Sequence, residues 1–180
     1  MFNQCSAFNS NVTIENGANI GDFSSMFNQC QTFNKPFEIP STATNVSSMF
    51  AYCYQFNQEL TIPGTVSTCS NILQNCYNFN SPVTISEGVT IVSSMLQYCN
   101  GFEHDLEIPS TVTNAQSLPI ANLEMSGTLI LKNPSTVYTW SNSFDISMKK
   151  MKTLKVHPDL VESYKTTSGW STYAFKIEAF

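Results

Sequence analysis

Residues 26–34 read Met26-Phe27-Asn28-Gln29-Cys30-Gln31-Thr32-Phe33-Asn34, and this M-F-x-x-C-x-x-F-N block returns along the chain. It is already present at Met1-Phe2, Cys5 and Phe8-Asn9, and it returns at Met49-Phe50, Cys53 and Phe56-Asn57. It relaxes to Ile72-Leu73, Cys76 and Phe79-Asn80, then to Met95-Leu96, Cys99 and Phe102-Glu103. The five cysteines are spaced 25, 23, 23 and 23 residues apart. A fixed period of this length marks a tandem array whose units pack on one another.

A second block follows each first one. Its copies are Val12-Thr13-Ile14, Phe37-Glu38-Ile39-Pro40, Leu60-Thr61-Ile62-Pro63, Val83-Thr84-Ile85 and Leu106-Glu107-Ile108-Pro109. Apolar-polar-apolar alternation predicts a short strand with one face buried. The proline lacks an N–H and ends the ladder. The period continues to Leu129-Ile130-Leu131 and Leu154-Lys155-Val156, which lack the cysteine block. The M, C and F positions fall at i, i+4 and i+7, one face of a helical turn. Ser24-Ser25, Ser47-Ser48 and Ser93-Ser94 stand just before the block, where a hydroxyl caps such a turn.

These two blocks predict a repeat solenoid. It is a right-handed, leucine-rich-repeat-like β/α superhelix with one short parallel strand and one short helical or 3-10 turn per repeat of about 23 residues. Residues 1–117 form five repeats, 118–156 degenerate repeats and 157–180 a C-terminal cap, all in one continuous domain. Stacking places Phe8, Phe33, Phe56, Phe79 and Phe102 in an aromatic ladder, with Asn9, Asn34, Asn57 and Asn80 in an amide ladder beside it. In the cap, Pro158 suits the first helical position and Asp159 the first turn. Leu160, Val161 and Tyr164 give that helix an apolar side, Gly169 is placed to end it, and Trp170 and Tyr173 cover the open core.

Composition narrows the function. Only 12% of the 180 residues are charged, and every basic residue is lysine. Residues 1–124 carry nine acids and one lysine, a balance of −8; residues 125–180 carry four acids and seven lysines, +3. An acidic body argues against nucleic acid as partner. The Lys149-Lys150-Met151-Lys152 run reads as a solvated loop. No apolar run is long enough to span a membrane. Met1 opens directly on a repeat, without a basic and apolar leader, so secretion by that route is not expected unless the chain is part of a longer one. Nothing precedes the first repeat as a cap, so the chain is expected either to be a truncated piece of a longer one or to expose an edge that docks another chain.

The repeat blocks resemble the BspA-like leucine-rich repeats in their x-I-P strand end followed by a turn and an F-x-x-C block. The M-F-x-x-C-x-x-F-N form also resembles a repeat found in surface lipoproteins of low-GC bacteria. The ending, from Leu154 to Lys165 and then Gly169-Trp170-Ser171-Thr172-Tyr173-Ala174, resembles the closing segment of such proteins and segments of phage and prophage tail proteins of Gram-positive hosts. The resemblance implies adhesion, host-protein binding and surface display, with no shared catalytic residues.

Candidate sites are few. The cysteines, Cys69 included, read as reduced buried thiols; parallel Cβ vectors disfavour disulfides, and no C-x-x-C or Cys/His spacing offers a metal site. Glu103, Asp105 and Glu107 read as a solvated acidic edge, and His104 and His157 as structural histidines. Tyr52, Tyr54, Tyr77 and Tyr98 fall between the buried positions of the turn block and are expected to point outward, either lying flat over the ridges of the solenoid or forming a binding patch. The outward strand positions Glu38, Thr61, Thr84 and Glu107 form a second candidate surface. No catalytic residue, metal or cofactor is assigned. The expected function is non-enzymatic recognition of a protein or carbohydrate, at a bacterial cell surface or in a secreted protein. The alternatives are a structural or receptor-binding part of a phage tail, located in the virion, and an enzyme.

Overall fold

The structure, a computed structural model, describes residues 1–15, 20–115, 125–139 and 149–180. Residues 118–124 and 140–148 of the predicted degenerate stretch therefore lie outside the described residues. Parallel strands in two sheets, with few helical residues, make up the described chain. Strands β1 (Leu60–Ile62), β2 (Val83–Ile85) and β3 (Leu106–Ile108) bury their first and third residues and expose the middle one, as the two-residue period requires. β4 (Thr128–Leu131) and β5 (Thr153–Val156) are the strands predicted from Leu129 and Leu154. β6 (Ile177–Ala179) closes the order. β1 pairs with β2, and β3, β4, β5 and β6 pair in sequence, all parallel. The register joins equivalent repeat positions: Leu60 to Val83, Leu106 to Leu129, Leu154 to Ile177.

The copies at Val12–Ile14 and Phe37–Ile39 are not strands. At the second copy the reason is local. Phe37 stands where the other copies have valine or leucine, edge-on to Phe27 and Phe50 at 5.1 and 6.2 Å.

The turn block is not helical, which corrects the expectation of a helical or 3-10 turn. Its hydrogen bonds alternate. Met26, Asn28 and Cys30 donate backward within the repeat, to Phe23, Ser25 and Phe27. Ser25, Phe27 and Gln29 donate forward to Ser47, Met49 and Ala51 of the next repeat. A helix would direct every N–H backward along its own axis. Here every second N–H is given to the neighbour, and the chain turns at left-handed residues: Ser25 (φ 54°) and Gln29 (φ 61°), then Ser48 and Tyr52, Asn71 and Asn75, Ser94 and Tyr98. The Ser47 and Ser93 hydroxyls reach Thr68 Oγ1 and Asn114 Oδ1 of the next repeat and do not cap the block. Asp22 and Asn45 do so, each accepting from the N–H two residues on, at 2.9 and 3.0 Å. The same residues begin a line of parallel bridges, Asp22–Asn45–Thr68–Ile91–Asn114.

The predicted aromatic ladder is present. Phe8, Phe33, Phe56, Phe79 and Phe102 stack at 5.8, 5.9, 6.1 and 6.0 Å, within 12° of parallel. A second ladder of Phe2, Phe27 and Phe50 interleaves with it. In the amide ladder the bonds run from backbone to side chain: the N–H groups of Asn34, Asn57, Asn80 and Glu103 donate to the Oδ1 of the asparagine one repeat earlier, at 2.7–3.0 Å.

The cysteines are free thiols, five of them buried and Cys5 exposed. Cys30, Cys53, Cys76 and Cys99 donate to the carbonyls of Phe2, Phe27, Phe50 and Leu73 in the preceding repeat, at 3.0–3.1 Å. Burial pushes the Cys69 thiol up to about 12, and it moves those of Cys53, Cys76 and Cys99 upward too.

At the C-terminal end, Pro158 opens a 3-10 turn (Pro158–Leu160) that leads into helix α1 (Val161–Thr166). The helix ends before Gly169, at Thr167, whose backbone turns extended (φ −70°, ψ 134°) while its N–H and hydroxyl both bond the Ser163 carbonyl. Gly169, at φ 89°, instead turns the chain toward a second 3-10 segment (Ser171–Lys176) and β6. Tyr164 and Trp170 are buried and meet edge-on at 5.3 Å. Trp170 Nε1 donates to the Tyr138 carbonyl at 2.7 Å, and the Tyr138 hydroxyl to that of Val112 at 2.6 Å. The closing aromatics are thus tied back to the last cysteine-block repeat.

Phe56→Ala removes a ring from the middle of the ladder and is expected to cost about 3–5 kcal/mol in urea unfolding. Of the six thiols, Cys5 alone reacts promptly with an aromatic disulfide reagent in native protein, and the rest react only after unfolding. The buried thiols keep their protons where unfolded ones ionise. Stability is therefore complete below about pH 8.5 and declines as pH rises toward 12; urea midpoints across that range measure it.

Candidate functional site

From the second copy to the fifth, the turn block buries its first, second, fifth and eighth positions; in the first copy Met1 and Cys5 are exposed and Phe2 and Phe8 half-buried. The third, fourth, sixth and seventh positions are exposed or half-buried, except Ala51 and Asn75, which are buried. The fourth-position column runs Gln4, Gln29, Tyr52, Asn75, Tyr98; the sixth runs Ser6, Gln31, Tyr54, Tyr77, Asn100. All four predicted tyrosines therefore belong to one face. Tyr52, Tyr77 and Tyr98 are 36%, 46% and 40% exposed, and Tyr54 is half-buried. Tyr54 and Tyr77 stack at 5.2 Å and 16°, so a ring on one repeat covers the ring on the next.

The amides around these rings were not singled out from the sequence. Gln74 Nε2 donates to Gln97 Oε1 at 2.6 Å and Asn78 Nδ2 to Gln55 Oε1 at 2.9 Å, bridging neighbouring repeats on either side of the tyrosine columns. The Tyr77 hydroxyl donates to Asn75 Oδ1 at 3.2 Å. Writing the copies in register exposes the signal: at these four positions none of the five copies carries a charge.

Tyr52 and Tyr98 sit at φ 61° and 65°. A bulky residue in the left-handed region is unusual, and such strain gathers at ligand-contacting positions. The repeat's own backbone bonds impose it. The N–H of Tyr52 donates to Gln74 in the next repeat, and the tight turn from Phe50 to Cys53 needs a left-handed third residue.

The strand-face candidates do not form a single surface of this kind. Glu38 and Thr61 line an open groove of about 800 Å³ together with Phe37, Glu59 and Pro63. Thr84 pairs in register with Thr61 on the same face. Glu107 is joined to Lys132 in an exposed ion pair at 2.6 Å. In the acidic edge, Asp105 accepts the Thr128 N–H at 2.6 Å. His104 lies against the Asn80 carbonyl at 3.1 Å. Among the described residues no three histidine, cysteine or carboxylate side chains converge as metal ligands, and no helix is long and apolar enough to cross a membrane.

Parallel strands in register, a repeated turn block and an uncharged tyrosine face define a tandem-repeat protein. The pattern of the family described as "Mycoplasma protein of unknown function, DUF285" matches residues 1–82 and, overlapping, 42–119. The chain belongs to this family. The matched residues contain all five cysteine blocks and all four tyrosines of the face. No curated protein matches the chain.

Tyr98→Asn installs the residue found at the equivalent Asn75, a type that tolerates the left-handed region better. It is expected to raise stability by up to about 1 kcal/mol in urea unfolding, whereas a loss would mean that ring packing outweighs backbone strain.

Proposed function

We propose that this chain is a BspA-like, leucine-rich-repeat-type solenoid, wound right-handed, that acts as a non-enzymatic recognition or adhesion module for proteins or glycans at a bacterial cell surface. The observation that carries the reading is the tyrosine face. Exposed rings on three successive repeats are unusual for a surface that only needs to be soluble. Tyrosine gives large contact area for few rotatable bonds. The rings stand on a core of stacked phenylalanines and are braced by inter-repeat amide bonds, so a ligand would order little on binding.

Family membership supports the reading only at the level of a repeat protein, and surface location draws on the BspA-like resemblance. The strand-face groove at Glu38 and Thr61 is the secondary contact surface. The basic stretch after residue 125 and the cap serve to close the stack.

The test is binding of fluorescently labelled chain to a panel of bacterial-cell and animal-cell surfaces by flow cytometry. Wild type is expected to label at least one surface, and Tyr52→Ser/Tyr54→Ser/Tyr77→Ser to lose at least tenfold in half-saturating concentration. Equal labelling by the triple variant, with its fold intact by circular dichroism, removes the tyrosine face from the function.

A further inference from the structure

We infer that the ligand of the tyrosine face is a neutral polysaccharide lying along the direction in which the repeats stack; this rests on the recognition reading above. Charge comes first. At the third, fourth, sixth and seventh positions of all five copies the residues are Asn, Gln, Tyr, Ser, Thr, Ala or Gly. An anionic glycan, a phosphate or a nucleic acid would shed water there and meet no counter-charge. A protein partner would be expected to meet arginine among its anchors and charged groups that steer its approach; this face has neither, and the chain has no arginine.

The groups present match a sugar instead. A pyranose offers a C–H face that is apolar and hydroxyls that both donate and accept. Tyrosine rings cover the first. Amides, with one acceptor and two donors each, pair with the second. Tyr54 and Tyr77 stack on one another between neighbouring repeats, and Tyr52, Tyr77 and Tyr98 keep 36%, 46% and 40% of their surface exposed. Tyr52 and Tyr98 occupy one column two repeats apart, about 9.6 Å at the usual strand spacing, with the shorter Asn75 between them.

Asn75 adds an independent sign. It is only 8% exposed. Its Oδ1 accepts from the Tyr77 hydroxyl, while its Nδ2 donates to no protein group and is not sealed from solvent. A nearly buried amide with a free donor, beside the Tyr77 hydroxyl and between Tyr52 and Tyr98 in its column, fits a hydroxyl oxygen. The repetition supplies the rest: a polymer running along the stack meets equivalent rings and amides at every repeat, which favours an extended chain over a single sugar.

The probe is native gel electrophoresis of the full chain through gels containing hydroxyethylcellulose, galactomannan, dextran or yeast mannan, with heparin and alginate as anionic controls. At least one neutral polymer is expected to retard the wild type and the anionic ones not. Tyr54→Ala/Tyr77→Ala and Asn75→Asp are each expected to weaken retardation at least tenfold in apparent Kd, with melting curves near wild type. Glu162→Gln, exposed on helix α1 of the cap, is expected to leave it unchanged. Failure of every neutral gel to retard folded wild type overturns the inference, as does retardation by the anionic polymers alone or indifference to the tyrosine and Asn75 variants. Cell labelling separates the two levels. If neutral gels fail but labelling needs the tyrosines and is abolished by protease treatment of the cells, the ligand is a protein and the recognition reading stands. If labelling ignores the tyrosines, both fall.

Discussion

Each repeat depends on its neighbour for half of its backbone hydrogen bonds in the turn block, and the rest of the structure follows from that dependence. Ser25, Phe27 and Gln29 give their N–H groups to Ser47, Met49 and Ala51, and the pattern repeats through Ser48, Phe50 and Tyr52 to the following copy. A unit of about 23 residues buries too little to be stable alone. Stacking brings the phenylalanine ladders, the thiol-to-carbonyl bonds and the asparagine column into register together. Each is a contact between equivalent positions, so the same sequence block satisfies it at every step. The cysteine illustrates this. A thiol is small enough for the core and still donates to the carbonyl of the preceding phenylalanine position.

Much of this was legible in the sequence, because a period is robust to error at any one residue. The strands at Leu60, Val83 and Leu106 follow from alternation, and those at Leu129 and Leu154 from continuation of the period. The turn block was misread as helical because Met, Cys and Phe at i, i+4 and i+7 face one way in a helix and also in a chain of tight turns. What separates the two is where every second N–H goes, and that depends on a neighbouring repeat. The first two strand blocks failed for another reason: alternation marks which side chains face inward but says nothing of whether Phe37 leaves room for pairing. Gly169 reads as a stop signal, but the helix already ends at Thr167, whose backbone is extended.

The tyrosines of the face were found by their place in the block, and the amides were not, because asparagine and glutamine are common in such chains. Their meaning emerges only in three dimensions, where Gln74 reaches Gln97 and Asn78 reaches Gln55 across repeats. The same backbone device that joins repeats sets Tyr52 and Tyr98 in the left-handed region. Stacking and display are therefore one geometry: the core positions lock the repeats, and the intervening positions carry rings and amides outward in columns. The charged residues lie elsewhere, at the strand face and its edges, where Glu107 and Lys132 pair. This segregation is what gives the tyrosine face its proposed chemistry.

The forward bonds of the turn block are the part of this account on which all else rests, and amide hydrogen exchange reads them directly. The amides of Ser48, Phe50 and Tyr52, bonded to Ser70, Ile72 and Gln74, are predicted to exchange only through global unfolding, with protection as strong as that of β1 and β2. Exchange of these amides at rates typical of exposed loops, while the strands stay protected, would contradict the stacked turn block and the face built on it.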